Sequence, residues 1–232
     1  MVSCQPMGAR DATAGTPAAR EPRTTQRQLS AAATRDSLIE AAIDCMAAYG
    51  PAGVTLQLVT DTAGVSRGLV RHHFGSKQKL LLEAFQRLAD EERSAFAPDD
   101  AGDEDDAVAT LRTAIVTSFR DAMAAPTRMH AWFGFWQAAL TDPALRDINE
   151  RLYADERARY TELFRAAAQQ LDLVIDEGEA GRGLQALADG AWNQLVIDTT
   201  DFTVERALAL CNDYIDMVLE RGRAARGSRA AS

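Results

Sequence analysis

Cysteine is scarce in this chain. Cys4, Cys45 and Cys211 are scattered through 232 residues, with neither a disulfide framework nor a metal-ligand motif, which fits a reducing cytoplasm. No apolar run approaches the roughly 20 residues that span a bilayer, so no membrane partner is expected. The N-terminus lacks the apolar stretch of a secretory signal. Long β-branched runs are absent, whereas Ala, Leu, Arg, Glu and Asp abound, so the composition favours helix. Enzyme signatures are missing too. There is no P-loop and no His-Glu-x-x-His. Leu69, Val70 and Thr127 stand three residues before His72, His73 and His130, so the Glu-x-x-His pairs of a helical di-metal oxidase do not occur. Gly64-Val65-Ser66-Arg67-Gly68 spells Gly-x-Ser-x-Gly, but a nucleophile elbow needs a strand before it, and a short helix is read there. The chain is expected not to be an enzyme, and no cofactor or metal is expected.

What is present is a helix-turn-helix pattern. Thr55 can cap a short helix through about Thr62, with Leu56, Val59 and Ala63 one turn apart. Gly64 suits the tight turn, and Val65 is an apolar plug between two helices. Ser66 can cap the second helix, which Leu69 and Val70 give a buried side. Gly75-Ser76 then stops it and starts another helix from Lys77 towards Arg93, with Phe74 beneath the joint. The formal net charge is −9, an odd balance for a DNA binder, yet it is unevenly placed. Residues 61–80 hold Arg67, Arg71, Lys77 and Lys79 against Asp61, while Asp99, Asp100, Asp103, Glu104, Asp105 and Asp106 form an acidic run read as a solvated loop. A small basic face on an acidic body is compatible with DNA binding, because the local field governs contact.

From roughly Thr34 to Phe85 the chain resembles the DNA-binding domain of the TetR family of repressors. The resemblance rests on Leu38-Ile39-Glu40-Ala41-Ala42, Val54-Thr55-Leu56, Ala63-Gly64-Val65-Ser66 and Phe74-Gly75-Ser76-Lys77 with Leu80-Leu81. Arg71 departs from it, standing where that family usually has tyrosine. A recognition helix presents its N-terminal residues to base edges, so Arg67, Arg71 and His72 are the base-reading candidates. Arginine can bond guanine bidentately. Thr55, Ser66, His73 and Lys77 are placed for phosphates, and Gly68 completes the DNA-contacting set.

At this length the chain can bury a large core, as one regulator-sized unit of two packed domains or one large domain. The expected organisation is a disordered tail over 1–30, a three-helix DNA-binding domain over 31–97, a helical domain over 106–222 and a tail over 223–232. The first helix should run from about Arg35 to Tyr49, burying Leu38, Ala42, Cys45 and Tyr49, and close at Gly50. Later helices are expected at Asp106–Ala125, Thr127–Leu140, Pro143 to about Leu171, Glu177–Thr199 and Thr203–Arg221. The last two carry a wide apolar face: Leu184, Leu187, Ala191, Leu195, Cys211, Tyr214, Ile215 and Val218. Such a face suits ordinary core or a twofold four-helix bundle. The family resemblance implies dimerisation there, which suits reading two half-sites.

Trp132-Phe133-Gly134-Phe135-Trp136 is the second notable feature. Trp132 and Trp136 share one helix face. Aromatics at helical spacing suit core packing, but tryptophan faces also attract quaternary ammonium groups. A cage is drawn from Trp132, Phe133, Trp136, Tyr160, Asp189 and Trp192, with Glu156 and Glu162 as further acids nearby. The cluster through Leu140, the following Asp142-Pro143-Ala144-Leu145, and Asp189-Gly190-Ala191-Trp192 resemble the C-terminal domain of BetI-type regulators. Asn212-Asp213-Tyr214-Ile215-Asp216 does so as well. That resemblance implies repression relieved by choline. Ala191 and Asn193-Gln194 depart from it, where leucine and a basic residue are usual.

The expectation is therefore an all-α, cytoplasmic, homodimeric regulator. Its N-terminal helix-turn-helix binds a palindromic double-stranded operator, and its C-terminal domain binds a small-molecule effector. The alternatives are a helical ligand- or partner-binding protein without an operator and a ligand-dependent activator.

Overall fold

The computed structural model describes residues 26–95, 106–119, 126–198 and 200–230, and among them every regular element is a helix. Helix α1 (Gln26–Gly53) begins inside the segment read as tail. Gly50 breaks its regularity at φ 63°, so the last turn is offset by a kink. Tyr49, placed by periodicity on the buried stripe, is instead 57% exposed. The kink ends the helical register there, and the described residues leave most of the ring to solvent.

Helices α2 (Leu56–Ala63) and α3 (Arg67–Phe74) form the two-helix unit read from the sequence. Thr55 caps α2 by accepting the Leu58 N–H at 3.2 Å. Gly64, at φ 67° and ψ 29°, makes the left-handed turn that a side chain would strain. Ser66 has an extended N-cap backbone, but its hydroxyl does not cap α3. Helix α4 (Lys77–Ala95) follows after Gly75-Ser76.

The segment 96–105, with the acidic run up to Asp105, lies outside the described residues. Asp106 caps α5 (Ala107–Ser118) by accepting from Val108 and Ala109. This helix is shorter than expected, ending at Ser118, and residues 120–125 also lie outside the described set. Pro126 opens α6 (Pro126–Ala139) rather than merely ending its predecessor. Asp142 and Pro143 start α7 (Pro143–Leu171), which closes at Asp172 in the left-handed region. Asp176 caps α8 (Glu177–Ile197). Helix α9 (Val204–Ala230) continues through most of the stretch read as a C-terminal tail.

Two apolar cores organise these helices. The first joins α1–α4 to α6 and the start of α7, through Leu38, Met46, Phe74 and Phe85 with Trp132, Phe135 and Leu152. Phe85 stacks on Phe135 at 4.9 Å between ring centroids and meets Trp132 edge-on at 5.4 Å. Helix α6 packs along α1, with Arg128 bonded to Glu40 at 3.0 Å. Further along, Gly134 lies so close to Met46 that a Cβ would stand 2.6 Å from its Cγ. The second core joins α5, α7, α8 and α9 through Ile115, Phe164, Leu184, Cys211 and Ile215.

That second core corrects the expected dimerisation set. Leu184, Ala191, Cys211 and Ile215 are at most 3% exposed within one chain, so they cannot also meet a second copy. Leu187, Leu195, Tyr214 and Val218 are half-buried against the same core. The large apolar side chains left outside on α8 and α9 are Ile197, Leu210 and Met217, at 72%, 42% and 36% exposure.

Candidate DNA-reading face and tryptophan cavity

Helix α3 buries Val70 and Phe74 and turns its opposite side to solvent. Arg67, Gly68, Arg71 and His72 are all exposed. Their i, i+1, i+4, i+5 spacing places them on one face of the helix. Among the described residues, neither arginine has a hydrogen bond or ion pair, so both guanidinium groups are available to a ligand. His73 is half-buried, its ring set edge-on to His72 at 5.1 Å. Phe74 anchors the helix end beneath the Arg35 guanidinium, 5.4 Å from its ring centre, and Arg35 is ion-paired with Glu83.

Thr55 and Ser66 are exposed near the helix starts. Lys77 is half-buried, and its ammonium donates to the Val54 carbonyl. That bond fixes the charge where the chain enters α2, and ties the start of α4 to this loop. Ser76 caps α4 by accepting the Lys79 N–H at 3.2 Å.

The second site is a cavity of about 210 Å³ between the two cores. All of the protein's tryptophans, Trp132, Trp136 and Trp192, line it. The first two come from α6, with ring centres 6.0 Å apart, and the third from α8. Trp192 is fixed by its indole N–H, which donates to the Ser118 carbonyl at 3.2 Å. The Trp136 indole nitrogen is buried without a partner among the described residues. Helix α7 adds Leu152, Tyr153, Asp155, Glu156 and Arg159, α8 adds Ala188 and Asp189, and α4 contributes Glu92 and Arg93.

Of the six expected cage residues, Trp132, Trp136, Asp189 and Trp192 do line the cavity. Phe133 and Tyr160 do not. Phe133 packs edge-on against Trp136 at 5.2 Å and so supports the wall from outside. Tyr160 is fully buried, its hydroxyl beside Glu156 and Ser118. Glu162 points away to Arg165. Sequence reasoning left Tyr153 and Glu156 outside the cage and did not single out Glu92. Tyr153, Glu156 and Tyr160 share one face of α7 at i, i+3, i+7, a pattern legible in sequence. Nothing local marks Glu92, since α4 reaches this cavity only through packing of the two cores.

The electrostatics of the cavity are dominated by buried carboxylates. Burial pushes the Glu156 carboxyl up to about 7; the Gln185 amide opposes this, and the Asp189 charge adds to it. Burial likewise raises Asp189 to about 6, against a hydrogen bond from the Tyr153 hydroxyl. Gln185, only 4% exposed, donates to Glu156 Oε2 at 2.9 Å and to the Tyr153 carbonyl at 3.0 Å. Arg93, at the cavity, is engaged with Asp90 at 2.6 Å and Asp155 at 3.2 Å. A partly open aromatic space in which the Glu156 and Asp189 carboxyls outnumber nearby free charge of the other sign, with Arg93 already paired to Asp90 and Asp155, can stabilise an organic cation by cation–π attraction and by charge.

Comparison with known proteins matches both halves of the chain to families of regulators. Residues 38–84 match the family described as bacterial regulatory proteins, tetR family. Residues 107–220 match the one described as BetI-type transcriptional repressor, C-terminal. The HTH-type transcriptional regulator BetI of Burkholderia thailandensis is 32% identical over 185 residues, covering 80% of this chain and 93% of that one. A solved transcriptional regulator from Pseudomonas aeruginosa PAO1 has a TM-score of 0.69 at 28% identity, covering 88% of this chain and 96% of that one. A transcriptional regulator from Saccharomonospora viridis, solved in complex with choline, has a TM-score of 0.72 at 21% identity, covering 80% and 96%.

Proposed function

Because this chain belongs to the TetR family of bacterial transcriptional regulators and carries a BetI-type C-terminal domain, we propose that it is a cytoplasmic homodimeric repressor released from a palindromic operator by a small organic cation. The observation that carries the effector class is that Glu156 and Asp189 line one cavity together with the protein's three tryptophans. Tryptophan faces attract a desolvated cation by about 2 kcal/mol or more, and the carboxylates add charge complementarity. A volume of about 210 Å³ lies below the roughly 300–1,000 Å³ of pockets for drug-sized ligands, which favours a small effector. A methylated ammonium asks for no acceptors, and the carboxylates here already accept from Gln185 and Tyr153. Choline is the first effector to test, since a structural neighbour binds it.

On the DNA side, Arg67, Arg71 and His72 face base edges, and Thr55, Ser66, His73 and Lys77 face phosphates. Ile197, Leu210 and Met217, with the half-buried Leu187, Leu195, Tyr214 and Val218, form the twofold contact in this reading. Effector entry shifts the population towards a conformer whose recognition helices no longer match the DNA repeat. Helix α4 connects the two sites, with Phe85 in the first core and Glu92 and Arg93 at the cavity.

The test is fluorescence anisotropy of the purified protein on DNA from upstream of its own gene, with and without choline. Tight binding that choline weakens supports the whole proposal. Tight binding indifferent to choline and to other quaternary amines refutes the effector class alone. No selective binding on any fragment of its genome refutes the operator.

A further inference from the structure

Glu156 of α7 and Asp189 of α8 open into the same aromatic space from neighbouring helices. The Asp189 charge raises the cost of ionising Glu156, and the hydrogen-bond donors that reach the two carboxyls are neutral. Gln185 donates to Glu156, the Tyr160 hydroxyl lies beside it, and the Tyr153 hydroxyl donates to Asp189. No lysine or arginine is among the groups that shift either carboxyl. Of the other charged groups facing the cavity, Arg93 is paired with Asp90 and Asp155, Glu92 adds a third carboxylate from α4, and Arg159 lies one turn beyond Glu156. Two like charges buried beside a largely apolar cavity are unfavourable unless a cation or a proton joins them.

We propose that the empty cavity keeps a proton on the Glu156–Asp189 pair, and that an organic cation enters by displacing it. This inference rests on the reading of the cavity as a cation site. The carboxyl O–H bond breaks, its electron pair stays on the carboxylate, the proton leaves to solvent, and the incoming cation takes over its charge, so charge and atoms balance without a redox partner. The directions of both carboxyl shifts, up to about 7 and about 6, agree. Gln185 is a positioning residue here: it holds Glu156 towards the cavity and ties it to the α7 backbone at Tyr153.

Sign and size follow. A cation favours the ionised pair, so affinity rises with pH through this window and levels off above it. With one carboxyl titrating near 7, affinity falls about a hundredfold between about pH 8 and about pH 5, and binding near pH 6 releases about one proton.

Because every tryptophan lines the cavity, intrinsic fluorescence reports on it directly. The experiment titrates the full-length protein with choline and with tetramethylammonium chloride across this pH range. Calorimetry in two buffers of different ionisation heat counts protons. The expected result is a ligand-free fluorescence transition near neutrality, moved to lower pH by either probe. Proton release should accompany binding, and the pH dependence should be largely lost in Glu156→Gln and reduced in Asp189→Asn. Gln185→Leu should shift the ligand-free midpoint, which a purely structural role would not. Binding that is equally tight from about pH 5 to about pH 8, with no proton released, overturns the exchange and leaves the cation site standing. A transition that persists unchanged in both carboxylate variants also overturns it. Failure of both probes to bind at any pH overturns the cation site and the exchange together.

Discussion

Gly181 is where α8 comes against the backbone of α7. A methyl group there would stand 2.8 Å from the Thr161 amide nitrogen, 2.9 Å from its hydroxyl and 3.2 Å from its Cα. The hydroxyl could rotate away, but the amide nitrogen is in mid-helix and cannot. Gly181→Ala therefore forces α7 and α8 apart by several tenths of an ångström. Overpacking of this kind costs about 1–3 kcal/mol, and the backbone contact puts it at the upper end. The better helix propensity of alanine returns about 1 kcal/mol, so the net loss is about 1–2 kcal/mol. The same two helices carry Glu156 and Asp189, and the Gln185 bonds of 2.9 and 3.0 Å span them. Effector affinity should therefore fall with stability, by about tenfold for 1.4 kcal/mol lost at the site. Gly190 is the control, on the same helix with nothing within 4 Å of where a methyl group would stand. Gly190→Ala should gain up to about 1 kcal/mol. Urea denaturation followed by circular dichroism, at one fixed protein concentration because association contributes to stability, measures both. A Gly181→Ala protein as stable as the parent, with unchanged effector affinity, would refute the argument from close helix approach. A loss at Gly190 would instead mean that a second copy covers that side of α8.

The remaining predictions address the other sites. Arg71→Ala should weaken operator binding by about 1–3 kcal/mol in anisotropy titrations and leave choline binding intact. Trp136→Ala should do the opposite, and equal losses in both assays for either variant would undo this division of labour. The raised Glu156 carboxyl, about 7 against an ordinary 4.5, makes ligand-free stability greatest below the ordinary value and lower as pH rises through the interval. The loss attributable to Glu156 is about 3–4 kcal/mol at most. Denaturation at about pH 5 and about pH 8 should show this difference shrinking in Glu156→Gln. Leu210→Asp with Met217→Glu should yield a folded monomer in sedimentation. A dimer as tight as the parent would place the interface elsewhere.

The DNA-reading unit was legible because its signals are local. Thr55, Gly64 and Val65 act within a few residues of themselves, through a side-chain cap, a left-handed backbone and an apolar plug. Asp142 with Pro143 and Asp176 mark their helix starts for the same reason. Tyr49 escaped this reading because the kink at Gly50 removes the turn against which periodicity would have packed it.

The cage and the dimer face depended on partners distant in the chain. A helical period tells that α8 and α9 have apolar sides, but not whether this chain or a second one covers them. Packing of α5 and α7 decided that for Leu184, Cys211 and Ile215, and left Leu210 and Met217 outside. In the aromatic cluster, residue type alone could not separate Phe133, behind Trp136, from Trp132, in the cavity wall. The union of two cores brings Glu92 of α4 to a cavity built largely by α6, α7 and α8. Capping and turn chemistry are written in neighbouring residues and survive without the rest of the fold. Burial of a carboxylate, and the charge it will accept beside it, exists only once distant helices have excluded water from around it.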